Sequence, residues 1–93
     1  MGKHRKSKVL DTFQDVIKEC KDIMRDTVVY VERRGKSSRF KDIERTLLRG
    51  NMSVTFTLLV FRLQSNGECQ EERRKVEVRW TLREEDGSFE LLY

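Results

Sequence analysis

Apolar residues recur at steps of three and four near the start of the chain: Val9, Leu10, Phe13, Val16, Ile17, Cys20, Ile23 and Met24. That is the period of a helix. It predicts an amphipathic helix over residues 8–26, with Ser7 as its N-cap and Asp11, Asp15, Lys18, Glu19 and Asp22 on the wet side. The next residues, Thr27-Val28-Val29-Tyr30-Val31, are β-branched and aromatic and read as a short strand. Residues 33–38 read as a loop in which Gly35 is free to take a positive φ. Ser38 then caps a short second helix that carries Phe40, Ile43, Leu47 and Leu48 on one side and ends at Gly50 and Asn51.

From residue 52 the period falls to two. Met52, Val54, Phe56 and Leu58 alternate with Ser53, Thr55 and Thr57, whereas Leu58-Leu59-Val60-Phe61 is apolar on both faces. A strand of that kind is central, or is covered by another subunit. Val76, Val78, Trp80 and Leu82 mark a further strand over residues 75–83. Asp86-Gly87 is a tight-turn signal. A two-residue turn there pairs Leu82 with Leu91 and Trp80 with Tyr93, which keeps the apolar residues on one face. The same test rejects a two-residue turn at Asn66-Gly67, which would set Val76 opposite Thr57. One extra residue is needed there, and Glu68-Cys-Gln-Glu-Glu-Arg-Arg74 supplies the slack as a mobile charged tip.

These periods predict an α+β fold: a long N-terminal amphipathic helix packed on a mostly antiparallel sheet of about four strands, with a short second helix between the first two strands. Residues 1–7 are expected to form a flexible basic arm and residues 8–93 a single domain. A chain of 93 residues supports one modest core and not two.

Charge changes the picture more than size does. The net charge is +4 and the pI is near 9.3. The excess is local: residues 1–8 carry four positive charges, and residues 28–50 carry seven positive against three negative. A small basic domain attracts nucleic acid or acidic partners. The chain has neither alanine nor proline, and twelve arginines to eight lysines. Folding demands no such bias, because proline usage averages about 5%. Constraint at the nucleotide level, as in a small viral genome with overlapping reading frames, would impose it. No apolar run follows the first charges and no stretch approaches the roughly 20 apolar residues of a membrane helix. Lys6 stands where myristoylation needs Ser or Thr. The expected location is therefore cytoplasmic or nuclear, away from membranes.

The candidate chemistry centres on Tyr30–Ile43, YVERRGKSSRFKDI. Its GKSS resembles the end of a phosphate-binding loop. However, Tyr30 stands where that loop needs its first glycine, and no parallel sheet is predicted behind it. Nucleic-acid contact is the stronger expectation. Arg33, Arg34, Lys36, Arg39 and Lys41 crowd a loop that feeds a helix N-terminus, and Arg45 and Arg49 follow along that helix. Lys3, Arg5, Lys6 and Lys8 form a second cluster in the arm, which also resembles a nuclear-localisation run. Such clusters grip a backbone without reading bases. Arg79 and Arg83 alternate with Glu77 and face Glu90, so cross-strand pairing is expected of them. Ser37, three residues after Arg34, matches a basophilic kinase site whose phosphate would cancel part of the patch.

No catalytic set, metal site or cofactor is expected. His4 lies in the arm, and Cys20 and Cys69 stand far apart with no CxxC. Cys20 falls on the apolar stripe and is expected to be a buried thiol. The acidic runs Glu71-Glu72 and Glu84-Glu85-Asp86 fall at predicted hairpin tips. The expected function is binding: a small RNA- or DNA-binding accessory protein, RNA favoured, that recognises backbone charge and shape in the manner of a viral regulatory factor or silencing suppressor. The competing expectation is an interaction module that homodimerises or docks a partner through the apolar strand 58–63, with Leu59, Phe61 and Leu63 at the interface and no nucleic acid bound.

Overall fold

The computed structural model describes residues 4, 6–83 and 86–93, and for Arg83 the backbone alone. The chain runs β1 (Ser7–Leu10), α1 (Phe13–Met24), β2 (Tyr30–Arg33), β3 (Lys36–Ser38), α2 (Phe40–Leu48), β4 (Ser53–Leu63), β5 (Cys69–Arg83) and β6 (Asp86–Leu92). The strands form one sheet in the order β1-β6-β5-β4-β2-β3, with every neighbouring pair antiparallel. The fold is therefore α+β, but with six strands where the periods predict about four.

The helix predicted over 8–26 is shorter. Residues 7–10 belong to β1, which pairs with β6, and Val9 lies opposite Glu90 and is exposed. The helix starts after Thr12, whose Oγ1 accepts the Asp15 N–H at 3.1 Å. Thr12, and not Ser7, is the N-cap, and Thr12-x-x-Asp15 is a capping pattern. At the other end Arg25 sits in the left-handed region at φ 55. Its N–H donates to Asp22 O at 3.2 Å and the Asp26 N–H donates to Lys21 O at 3.1 Å. That is a Schellman stop with arginine where glycine is usual.

The loop predicted over 33–38 is a β-hairpin. Arg34 and Gly35 both have positive φ, 55 and 76, the signature of a type I′ two-residue turn. It sets Arg33 opposite Lys36 and Glu32 opposite Ser37. The third strand carries only Lys36, Ser37 and Ser38, so no apolar alternation marks it. α2 begins one residue later than predicted: Arg39 is the N-cap, and its N–H donates to Asp42 Oδ2 at 3.2 Å.

The tip predicted over Glu68–Arg74 is strand from Cys69 onward. β4 and β5 pair without a break from Ser53↔Arg79 to Leu63↔Cys69. The Gln64 N–H donates to Glu68 O at 2.7 Å, leaving a three-residue loop with Gly67 at φ 84. This is the extra residue that the face test requires at Asn66-Gly67.

The Asp86-Gly87 hairpin differs in register. Arg83 pairs with Asp86, Trp80 with Phe89 and Val78 with Leu91. Asp86 and Gly87 are thus strand residues, and the predicted turn moves to Glu84 and Glu85, which lie outside the described residues. The offset from the predicted pairing is even, so both registers put the same residues on the same face, and the face test cannot separate them. The observed register brings Phe89 and Leu91 opposite Trp80 and Val78 and buries both.

Both helices lie on one face of the sheet. α1 contributes Phe13, Val16, Cys20 and Met24 to the core, and α2 contributes Ile43 and Leu47. The strands supply Val31, Val54, Phe56, Leu58, Val60, Val76, Val78, Phe89 and Leu91. Phe13 meets Phe89, and Phe40 meets Phe56, in T-shaped contacts. Among the described residues no helix covers the other face.

Candidate nucleic-acid interface

The β2–β3 hairpin and α2 form one edge of the molecule, and their cations gather there. Arg33 shares the helix face with Val31, and its Nη1 donates to Thr46 Oγ1 at 3.4 Å. The Thr46 hydroxyl in turn donates to Asp42 O at 2.8 Å. Arg33 is therefore braced between the sheet edge and α2. Lys36 lies opposite it, Arg34 forms the exposed turn, Arg39 caps the helix, and Lys41 stands in its first turn. Among the described residues, Arg33, Arg34, Lys36, Arg39, Lys41 and Arg49 form no ion pair, and Arg45 stands 3.6 Å from Asp42. Asp42 also occupies the N-terminus of α2, so its carboxylate offsets the helix dipole that would otherwise attract phosphate. The positive charge of this edge therefore comes from its side chains.

Of the basic arm, Lys6 and Lys8 do not join that edge. Lys3 and Arg5 lie outside the described residues. Lys6 and Lys8 belong to the opposite side of the sheet, since β1 and β3 are its two outer strands. Five strand spacings of about 4.8 Å separate them, roughly 24 Å. Lys8 is also committed within the chain. Its Nζ lies 2.9 Å from Glu19 Oε1, and the hydrogen bond and charge of Glu19 raise its pKa. His4 lies against the open face, with Nε2 3.3 Å from Glu77 Oε1.

The open face is charge-paired. Arg79 Nε lies 3.1 Å from Glu77. Arg73 reaches across β4 to Glu32 at 2.9 Å and also holds Glu71 at 3.1 Å. Burial works against the Glu77 carboxylate, but Arg79, Ser53 and His4 outweigh it and hold the pKa below the usual carboxylate range. Lys75, opposite Thr57, forms no ion pair among the described residues and is the free cation that these pairs leave on the face. At one end the same face carries Tyr30, Leu59, Phe61 and Leu63. Leu59 is only 6% exposed, while Tyr30, Phe61 and Leu63 are 53%, 50% and 79% exposed. Tyr30 and Phe61 pack edge to face, with ring centroids 5.6 Å apart. Of the three predicted interface residues, Leu59 is thus covered by its own chain.

A second arginine cluster has no local signal in the sequence. Arg25, Arg62 and Arg74 come from three separate stretches and converge where α1 ends against the β4–β5 ribbon. Arg74 falls within the segment that lacks alternation. Only the long ladder, which fixes the register of residue 74, could have placed it there.

Cys20 is buried, and burial, with Glu19 nearby, pushes its thiol up to about 12. Cys69 is an exposed free thiol. Among the described residues no three His, Cys, Asp or Glu side chains converge as a metal-ligand set, and no helix is long and apolar enough to cross a membrane. Compared with protein-family models, with curated proteins and with solved structures, the chain finds no match in any of the three.

Proposed function

We propose that this protein binds a nucleic acid through its phosphate backbone, with the β2–β3 turn and α2 as the contact edge. One observation carries the reading. Arg34, Lys36, Arg39 and Lys41 gather at one edge without carboxylate partners among the described residues, whereas Arg73 and Arg79 on the open face are matched to glutamates. Clustered cations without partners repel one another, and a polyanion relieves that repulsion by displacing its own counterions. RNA is the favoured form. Binding follows charge and shape, because among the described residues no aromatic pair is spaced for base stacking along this edge. A regulatory role in a virus, silencing suppression included, fits the proline- and alanine-free composition. Charge reversal at Arg34, Lys36 and Lys41 tests the reading. All three side chains are exposed and outside the core, so the variant folds but loses affinity for RNA. Unchanged affinity at low salt would exclude the edge.

A second reading rests on the open face. Tyr30, Phe61 and Leu63 form an exposed apolar patch of a kind that monomers seldom carry without use. Glu71 and Arg73 flank it, and a two-fold interface can match those opposite charges with their own copies. The reading is a homodimer across this patch, with or without nucleic acid. Sedimentation of the wild type and of Phe61→Glu tests it. Phe61 lies outside the buried core, so the variant is expected to be a folded monomer. A wild type that is monomeric at high concentration would exclude the dimer.

A further inference from the structure

We propose that the cleft between the C-terminal end of α1 and the β4–β5 ribbon is a nucleotide site, in which Arg25 and Arg74 hold the phosphate. The cleft follows from a mismatch of lengths. α1 has 12 residues and spans about 18 Å. β5 has 15 residues and spans about 50 Å. The helix stops and the ribbon runs on, leaving a step of about 560 Å³ lined by Ile23, Met24, Arg25, Arg62, Glu72, Arg74 and Arg73, the last already paired with Glu32 and Glu71.

The charges in this step divide into spent and unspent. Arg62 donates to Met24 O, and its guanidinium lies 3.1 Å from Glu72 and 4.0 Å from Asp26. Its one positive charge is spent mainly on Glu72 and only partly offsets Asp26, while its bond to Met24 O covers a carbonyl at the negative end of the helix. Arg74 is oriented but not consumed. Its Nη2 donates to Tyr93 O at 2.8 Å, and its guanidinium stands 5.4 Å from the Tyr93 ring centroid. A guanidinium has five N–H donors, so most remain available. Arg25 forms no ion pair among the described residues. Both arginines also line an adjoining depression of about 300 Å³ that extends to Lys6. Its carboxylates are Glu19, paired with Lys8, and Asp22, which has no ion pair among the described residues.

Arg25 and Arg74 line the same cleft and keep free N–H donors, which suit a phosphate ester because it accepts hydrogen bonds on several oxygens at once. The remainder of the cleft suits what a nucleotide adds to phosphate. Ile23 and Met24 provide an apolar floor. The Arg74–Tyr93 pair offers a flat, polarisable edge of the sort on which bases stack. The ligand can come from a free nucleotide or from one unit of a single strand. This site is separate from the β2–β3 edge and does not depend on it.

Arg25 makes the test clean. It occupies a left-handed position where asparagine is better tolerated than arginine, so Arg25→Asn removes the guanidinium without endangering the fold. Backbone amide shifts would be followed by NMR while the whole protein is titrated with AMP, with inorganic phosphate and with a short single-stranded RNA. The expected result is that AMP shifts Ile23, Arg25 and Arg74, and that Arg25→Asn weakens AMP binding about tenfold, the effect of losing one charged hydrogen bond worth about 1.4 kcal/mol. Shifts at these residues with RNA alone would also support the site and assign it to a strand. Phosphate binding as tightly as AMP would overturn the nucleotide assignment. No shift with any of the three, or Arg25→Asn binding as the wild type does, would overturn the site. Arg34→Glu/Lys36→Glu/Lys41→Glu should leave AMP binding unchanged, which separates failure of this site from failure of the edge.

Discussion

Gly87 is a strand residue seated beneath the ring of Trp80, and this gives a sharp prediction. A Cβ built on Gly87 would lie 1.8 Å from Trp80 Cη2 and 2.2 Å from Cζ2. No side chain fits there while the indole stays in place. In an ordinary strand, replacing glycine with alanine is favourable by about 0.5–1 kcal/mol. Here Gly87→Ala must push the indole off its seat. Trp80 packs on the core and lies 4.7 Å from Phe89, centroid to centroid. Re-exposing on the order of 100 Å² of the ring costs about 2.5 kcal/mol at 25 cal/mol/Å², and loosening the aromatic pair adds about 0.5–1.5 kcal/mol. Against the strand gain, the net loss is about 2–3.5 kcal/mol. For a domain of this size that lowers Tm by roughly 10–20 °C and moves the urea midpoint down by about 1–2 M. The control is the same change in a Trp80→Leu background. With the ring gone, Gly87→Ala should be neutral or stabilising, and the double-mutant cycle should return a coupling of about 3 kcal/mol. Equal effects of Gly87→Ala in the two backgrounds would refute the packing argument.

Thr12→Ala removes the cap of α1 and should cost about 1 kcal/mol in urea unfolding, while Ser7→Ala should cost nothing measurable. A thiol reagent should titrate Cys69 at once and Cys20 only through opening of the fold, giving one fast and one slow thiol. The raised pKa of Cys20 also fixes a sign. Its contribution to stability is whole below the unfolded thiol value and is lost as pH rises from there towards about 12. By pH 10 the loss is on the order of 1–2 kcal/mol. Cys20→Val should remove that alkaline loss, and an unchanged pH profile would contradict it.

Long apolar periods were readable from residue order, and short polar elements were not. The stripe Phe13, Val16, Cys20 and Met24 marks α1, and Val54, Phe56, Leu58 and Val76, Val78 mark the central pair of strands. All of these residues are buried. Val9 and Leu10 misled because a β-strand that happens to precede a helix can continue its spacing by accident. The true start was written in Thr12-x-x-Asp15. β3 was hidden because Lys36-Ser37-Ser38 has no apolar residue and Arg34-Gly35 is an uncommon type I′ pair. The register of β6 escaped because parity does not distinguish pairings that differ by an even offset. The Asp86-Gly87 pair reads as a turn, whereas Gly87 is a strand residue and glycine is the only residue type that fits beneath Trp80. The cations of the β2–β3 edge are close in sequence and could be grouped before folding. Their distance from Lys6 and Lys8 could not be foreseen without the strand order, and neither could the meeting of Arg25 with Arg74.

Salt dependence of RNA binding tests the central claim most directly. Fluorescence anisotropy of a labelled single-stranded RNA would be followed from about 50 to 200 mM salt for the wild type and for the variant reversed at Arg34, Lys36 and Lys41. Each phosphate contact on a single strand contributes about 0.7 to the slope of log K against log salt, so three lost contacts should flatten it by about 2. The account predicts that flattening, together with a large loss of affinity at the low-salt end and an unchanged melting temperature. A wild type that does not bind at low salt, or a variant with the same slope and affinity, would contradict it.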